Sequence, residues 1–200
     1  MALPSITRGD PSDDETLQII QAGTAACRRY GPSKTTVADI ARLLGKSHAS
    51  LYRTFPSKTE IWDAIAAHFY ENDLGYALPR AGGLLSAADQ LKETMLSHHR
   101  LLLQALHEDP QMFGLLVLTA RNNGRSFRQF RNRLHGLVGE LVRAGIGTKE
   151  FQQTDIPAAS SCFCASLVIL WDPRLVGATP SIHCEISAHE LVSFAVDALR

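Results

Sequence analysis

Between positions 36 and 58 the sequence gathers side chains suited to binding a polyanion: Thr36, Lys46, Ser47, His48, Ser50, Tyr52, Arg53 and Lys58, with the small Ala49 among them. Lysine and arginine neutralise phosphates and release counterions. Hydroxyl and imidazole groups hydrogen-bond base edges, and an alanine methyl can meet a thymine methyl. The chain as a whole has zero formal charge, but from Arg28 to Lys58 seven Lys/Arg stand against Asp39 alone, a local net of +6; residues 1–27 and 59–200 each come to −3. A charge run is more often a solvated face than a binding site. Here it coincides with side chains that can read bases, which favours nucleic acid.

These side chains need two short helices to hold them. In the stretch TTVADIARLLGKSHASLYRTFPSK, Thr36 can cap a helix and Asp39 follows at capping-box spacing. Ile40, Leu43 and Leu44 then fall on one predicted apolar face, and Gly45 tolerates the positive φ that ends many helices. Ser47 can cap a second helix, anchored by Leu51 and Phe55 at i, i+4. Two short helices joined by a glycine-containing turn describe a helix-turn-helix, whose second helix enters the major groove. His48, Ala49 and Ser50 follow the cap and face base edges; Arg53 and Thr54 extend the polar face. Lys46 reads equally as a phosphate contact or a solvated turn residue, and Tyr52 has core packing beside Leu51 as its structural alternative.

Thr36, Ile40, Ala41, Gly45, Ser47, Leu51, Tyr52, Phe55 and Lys58 stand in one register as T-x-x-x-I-A-x-x-x-G-x-S-x-x-x-L-Y-x-x-F-x-x-K. In this the first third of the chain resembles the DNA-binding domain of TetR/AcrR-type transcriptional regulators. The resemblance implies an all-α protein with a three-helix DNA-binding domain and a larger helical domain that binds a small-molecule effector and dimerises. It implies a phosphate contact through the Tyr52 hydroxyl and a phosphate clamp at Lys58, where a helix N-terminus reinforces anion binding. Thr36 is likewise placed to reach phosphate through its hydroxyl or backbone N–H. For the effector, the expected lining is Met95, His98, His99, Leu102, Met112, Phe113, Leu116, Phe130 and Trp171. No carboxylate or arginine cluster points to a charged ligand, so a largely apolar or aromatic one is expected. Repression of a palindromic operator by a dimer is the family's usual outcome.

The rest of the chain has helical periodicity and no convincing alternating strand. Residues 1–11 read as a tail, 12–57 as the DNA-binding domain, 58–79 as a linking fourth helix and 80–200 as the effector and dimerisation domain, with a boundary at Pro79–Gly83. The first helix is expected from Glu15, capped by Ser12, with Leu17, Ile20, Ala25 and Cys27 inward and Ile19 near the edge. The fourth is expected from Ser57 to Ala77 with Ile61, Trp62, Ile65, Ala66 and Phe69 inward. Further helices are expected at Ser86–His107, Pro110–Ala120, Ser126–Ala144, Ile156–Trp171 and Glu185–Leu199, with loops at Gly145–Thr148 and Asp172–Pro180. The Ile156–Trp171 segment is apolar nearly all round, which calls for burial partly by a partner. It and the last helix are expected to pair across a two-fold axis through Ala159, Phe163, Leu167, Leu170, Leu191, Phe194 and Ala198.

No run of about 18 apolar residues suggests a membrane span, and MALPSITRGDPSDDE lacks the apolar core of a signal peptide. A cytoplasmic, nucleoid-associated protein is therefore expected, with Cys27, Cys162, Cys164 and Cys184 free and buried. Cys162-x-Cys164 and His183-Cys184 lack zinc-site spacing, and residues two apart on a helix face different ways, so no metal or cofactor is expected. A Cys-His-Asp nucleophile lacks a local signature, so no enzyme is expected either. A second reading stays open: a helical small-molecule-binding or protein-interaction module that keeps the helix-turn-helix only as scaffold.

Overall fold

The computed structural model describes residues 11–72, 85–176 and 186–200, which form eleven α-helices and no strand. α1 (Pro11–Tyr30), α2 (Val37–Leu44) and α3 (His48–Thr54) make the N-terminal unit, and α4 (Lys58–Asn72) leads out of it. The larger unit contains α5 (Ala87–Glu108), α6 (Pro110–Arg121), α7 (Arg125–Gly147), α8 (Ile156–Ser166), α9 (Val168–Trp171), α10 (Pro173–Val176) and α11 (Ala188–Asp197).

In α2 the local sequence rules hold. Thr36 Oγ1 accepts from the Asp39 N–H at 3.2 Å, and the Asp39 carboxylate accepts from the Thr36 N–H at 2.9 Å and its hydroxyl at 2.6 Å. Two otherwise orphaned first-turn donors are thereby satisfied. Gly45 closes the helix at φ 62°, where a side chain would be strained. Ser47 caps α3 through the Ser50 N–H at 3.2 Å. Ile40, Leu51, Ile61 and Ile65 are fully buried and bind α2, α3 and α4 into one core. Burying each such side chain is worth about 1.5–3 kcal/mol.

Several sequence expectations shift. α1 starts at Pro11, so Ser12 lies inside the helix and does not cap it. Its inward face is Ile19, Ala26 and Cys27; Leu17 is 40% exposed and Ala25 also faces out. Starting at Val37 rather than Lys34, α2 buries Val37, Ile40 and Ala41 and leaves Leu43 outside at 56% exposure. Apolar spacing alone admitted either face, and contact with α1 selected one. α4 keeps its expected stripe and adds Tyr70; beyond Asn72 its expected extent, and the Pro79–Gly83 boundary, lie outside the described residues.

α7 runs through Gly147, where a loop was expected. Gly145 stays helical because its bare Cα lets the Phe151 ring come so close that a Cβ would sit 2.1 Å from it. The Ile156–Trp171 segment is two helices, not one. The chain breaks at Leu167, and the Trp171 indole N–H spans the break to the Cys164 carbonyl at 2.8 Å. The expected 172–180 loop contains α10, opened by Pro173 after Asp172, whose carboxylate accepts the Arg174 N–H at 2.9 Å. α11 opens at Ala188 with a Ser187–Glu190 capping box. Glu185 and Cys184 lie outside the described residues.

Candidate nucleic-acid interface and effector core

Leu51 is the anchor of α3, fully buried, and it turns the opposite side of the helix outward. His48, Ala49, Tyr52 and Arg53 are all exposed and Ser50 is half-buried. Tyr52, at 38% exposure, is not a core residue. The His48 ring meets it edge-on at 4.8 Å, an i, i+4 contact that orders both side chains on the outer face. Lys58 opens α4 with its ammonium 5.1 Å from the Trp62 ring centroid, beside free first-turn N–H groups.

The structure divides the seven cations of this region. Lys46 Nζ lies 2.5 Å from Glu15 Oε1, tying the turn to α1, and this hydrogen bond holds the Glu15 carboxyl below the usual carboxylate range. Arg28 pairs with Asp109 at 2.7 Å and Arg42 with Asp39 at 3.5 Å. Lys34, Arg53 and Lys58 form no ion pair among the described residues. Both donors of Thr36 are already given to Asp39, so the expected phosphate role of Thr36 becomes a helix-capping one.

In the larger unit, Met95, Leu102, Met112 and Leu116 are fully buried, and Phe113, Phe130 and Trp171 nearly so. His98, Phe130 and Trp171 come together in an aromatic cluster with Tyr70 and Phe127. His99 instead turns to the Leu170 carbonyl at 3.1 Å. None of the expected effector residues lines the three surface concavities mapped over the described residues.

The expected dimer residues separate into two sets. Phe163, Leu167 and Leu170 are at most 4% exposed and belong to the protomer's own core, because the break at Leu167 turns them inward. Phe194 is 76% exposed, Ala198 exposed, and Ala159 and Leu191 partly so. A groove of about 380 Å³ runs between α8 and α11 beside Phe194 and Cys162. Cys162 is exposed, against expectation, whereas burial pushes the Cys27 and Cys164 thiols up to about 11 and about 12. Those two stay protonated and unreactive.

One functional contact escaped the sequence reading. Asp63 on α4 accepts from the Arg125 N–H and the Ser126 N–H, both at 3.1 Å, and from the Ser126 hydroxyl at 2.6 Å. It caps α7 from another helix. The available signal was Gly124: a helix opening after a residue with no capping side chain needs a donor-satisfying group from elsewhere.

A buried anchor, an outward α3 and unpaired cations beside it define a helix-turn-helix DNA-binding protein. Residues 19–65 match the family described as bacterial regulatory proteins, tetR family, and residues 87–192, over half the chain, match the tetracyclin repressor-like C-terminal domain. The chain belongs to the TetR family of ligand-responsive, DNA-binding transcriptional regulators. Members of this family bind DNA and small molecules, typically as dimers.

Solved structures share the whole architecture. RolR in complex with resorcinol superposes with a TM-score of 0.65 at 16% identity, covering 96% of this chain and 90% of that one. A regulator from Mesorhizobium loti gives 0.62 at 19%, covering 96% and 97%. PfmR from Thermus thermophilus gives 0.52 at 21%, covering 90% and 96%. No curated protein matches the chain.

Proposed function

We propose that the protein is a repressor that binds a palindromic operator as a homodimer, in the cytoplasm, and releases it when a small, largely apolar effector enters the larger domain. The observation that carries this reading is the outer face of α3: His48, Ala49, Tyr52 and Arg53 are exposed around a helix pinned by the buried Leu51. In it, His48, Ala49 and Ser50 read base edges from the first turn of the helix. Tyr52, Arg53 and Lys58 hold phosphates on either side. Lys46 and Thr36 support this surface through Glu15 and Asp39.

One such helix makes few base contacts, so two copies are needed for useful specificity. On α8 the small residues Ala158, Ser161, Cys162 and Ala165 are exposed at i, i+3, i+4 and i+7. Small side chains on one stripe let a second helix approach closely. With Phe194, Leu191 and Ala198 of α11 they supply the surface on which α8 and α11 meet their copies in a four-helix arrangement. The two recognition helices must then sit about 34–36 Å apart, or a multiple, to read successive major grooves. An effector that prefers another spacing lowers DNA affinity by linkage. The aromatic and aliphatic surroundings of Phe130 favour an apolar or aromatic effector, and RolR, with resorcinol, has an aromatic one in the same fold.

The test is fluorescence anisotropy of the protein on duplex DNA from its own promoter region, from about 50 to 200 mM salt. Tight binding to a two-fold symmetric site with a steep salt dependence is expected. Salt-independent binding, or none, would sink the reading in favour of a module that keeps the helix-turn-helix as scaffold.

A further inference from the structure

Inside the larger domain lies an acceptor that no group answers. The His98 ring on α5 stacks on Phe130 of α7, with ring centroids 4.8 Å apart and planes at 23°. Phe130 in turn stacks on Tyr70 of α4 at 4.7 Å and 5°. Phe127 and Trp171 flank this column, 6.4 and 6.2 Å from Phe130. His98 donates one ring N–H to the Trp171 backbone carbonyl. Its Nε2 is sealed from solvent and meets no donor among the described residues. Nδ1 is therefore the protonated nitrogen, and Nε2 presents a lone pair to an aromatic enclosure. Burial pushes the ring's pKa down to about 4, so it is neutral at pH 7.

We propose that the effector is an uncharged, small aromatic molecule bearing an O–H or N–H donor, which enters the Tyr70–Phe130–His98 column and donates its hydrogen bond to His98 Nε2. This rests on the reading of the protein as an effector-responsive repressor. A planar ring matches the stacked surroundings, where aromatic pairs favour offset or edge-on contact. A donor satisfies a buried acceptor that is otherwise left unmade. A carboxylate finds no free cation here: Arg174, 5.2 Å from the Phe127 ring, already forms a bidentate pair with the buried Asp172. The same column explains how the signal leaves the site. An added ring is about 3.5 Å thick, and Tyr70, at the end of the column, sits on the helix that carries the DNA-binding unit. Parting the stack displaces α4.

The experiment uses the full chain and three probes in calorimetric titration: phenol, toluene as the same shape without a donor, and benzoate as an anion. Wild-type protein binds phenol about tenfold more tightly than toluene, the factor one hydrogen bond worth about 1.4 kcal/mol gives, and binds benzoate more weakly than either. His98→Phe keeps a ring in the stack but removes the acceptor, and it abolishes the preference for phenol. His98→Gln offers an amide oxygen and restores part of it. In wild-type protein the ¹⁵N resonance of His98 Nε2 moves with phenol and not with toluene, a readout independent of any variant's folding. Equal binding of phenol and toluene, or a phenol preference that survives His98→Phe, overturns the proposal. Promoter-duplex anisotropy separates it from the repressor reading. DNA binding without phenol preference removes the effector class alone; phenol binding as described with DNA affinity unmoved supports the site and removes the repressor.

Discussion

Asp63→Ala removes the carboxylate that caps α7. Three donors lose their acceptor, and the Ser126 residue that supplies two of them is 3% exposed. An N-cap is typically worth about 1 kcal/mol, and a hydrogen bond to a charged group about 1.5–3 kcal/mol. The Arg125 end is open to water, which can replace Asp63 there. The three contacts share one carboxylate, so their contributions are not additive. The expected loss is about 2–3 kcal/mol. For a chain of this size, at about 2–4 °C per kcal/mol, thermal unfolding should fall by roughly 5–10 °C. Asp63→Asn keeps one acceptor oxygen and should lose about half as much. Gly124 offers an internal control. Its φ of −57° suits any residue, but a Cβ there would meet Asp63 Oδ1 at 2.5 Å. In Asp63→Ala that obstacle is gone, and Gly124→Ser can cap α7 locally and recover about 1 kcal/mol. Differential scanning calorimetry of the four proteins is the assay. A shift below about 2 °C for Asp63→Ala, or no recovery with Gly124→Ser, would refute the capping argument.

Lys58→Ala should weaken binding to every duplex and flatten the log–log salt slope by about 0.9, whereas His48→Ala should change preference at one base step by about 1–3 kcal/mol; anisotropy on operator and scrambled duplexes distinguishes the two. Phe194→Glu should give monomers by size-exclusion chromatography, because Phe194 is 76% exposed; Leu167→Ala should leave the dimer intact and cost about 2–5 kcal/mol of stability, because Leu167 is 0% exposed inside the protomer. Stability should fall as pH drops from about 6.5 to about 4. Above 6.5 His98 is neutral in both states; below it the unfolded chain takes up a proton that the folded protein refuses until about 4. The differential reaches about 3 kcal/mol. Burial lowers His99 and His135 as well, which steepens the loss. Denaturant titrations of wild type and His98→Phe across this range check it: the variant's curve should be flatter.

What was legible in the sequence followed from local rules. The Thr36–Asp39 box, the positive φ of Gly45 and the Ser47 cap are decided within a few residues, and all three stand in the structure. Facing was less legible where two apolar readings competed. Leu17 and Leu43 look buried by spacing, but the smaller Ala26 and Ala41 hold the inner positions because α1 and α2 approach closely there. The break at Leu167 was hidden for the same reason that made the segment look continuous: every residue near it is apolar, and only the Trp171–Cys164 bond across the break shows where the helix ends. Charge counting located the basic region but overstated its free charge, since Glu15 and Asp109 pair with its cations from elements distant in sequence. Asp63 was missed because its partners are 62 and 63 residues away.

Three contacts fasten α4 to α7 in the same order along both helices. Asp63 holds Arg125 and Ser126, Tyr70 stacks on Phe130, and Glu71 meets Arg133 at 2.9 Å. Matching order means the two helices run the same way. From residue 63 to 71 the clasp extends about 12 Å along α4, at 1.5 Å per residue. A helix held at both ends of such a span cannot pivot on one contact while keeping the others. Two of the contacts are polar and reach the surface; the third is the aromatic stack in the interior. Exposed ion pairs such as Glu71–Arg133 contribute about 0–1 kcal/mol and yield readily. The Asp63 cap is stronger and lies nearest the DNA-binding unit. An effector that parts the Tyr70 stack therefore moves the far end of α4 while Asp63 holds the near end, and α4 rotates about its capped end rather than sliding. Rotation of that kind reorients α3 in each protomer and changes the separation of the paired recognition helices, which is the quantity that operator spacing reads.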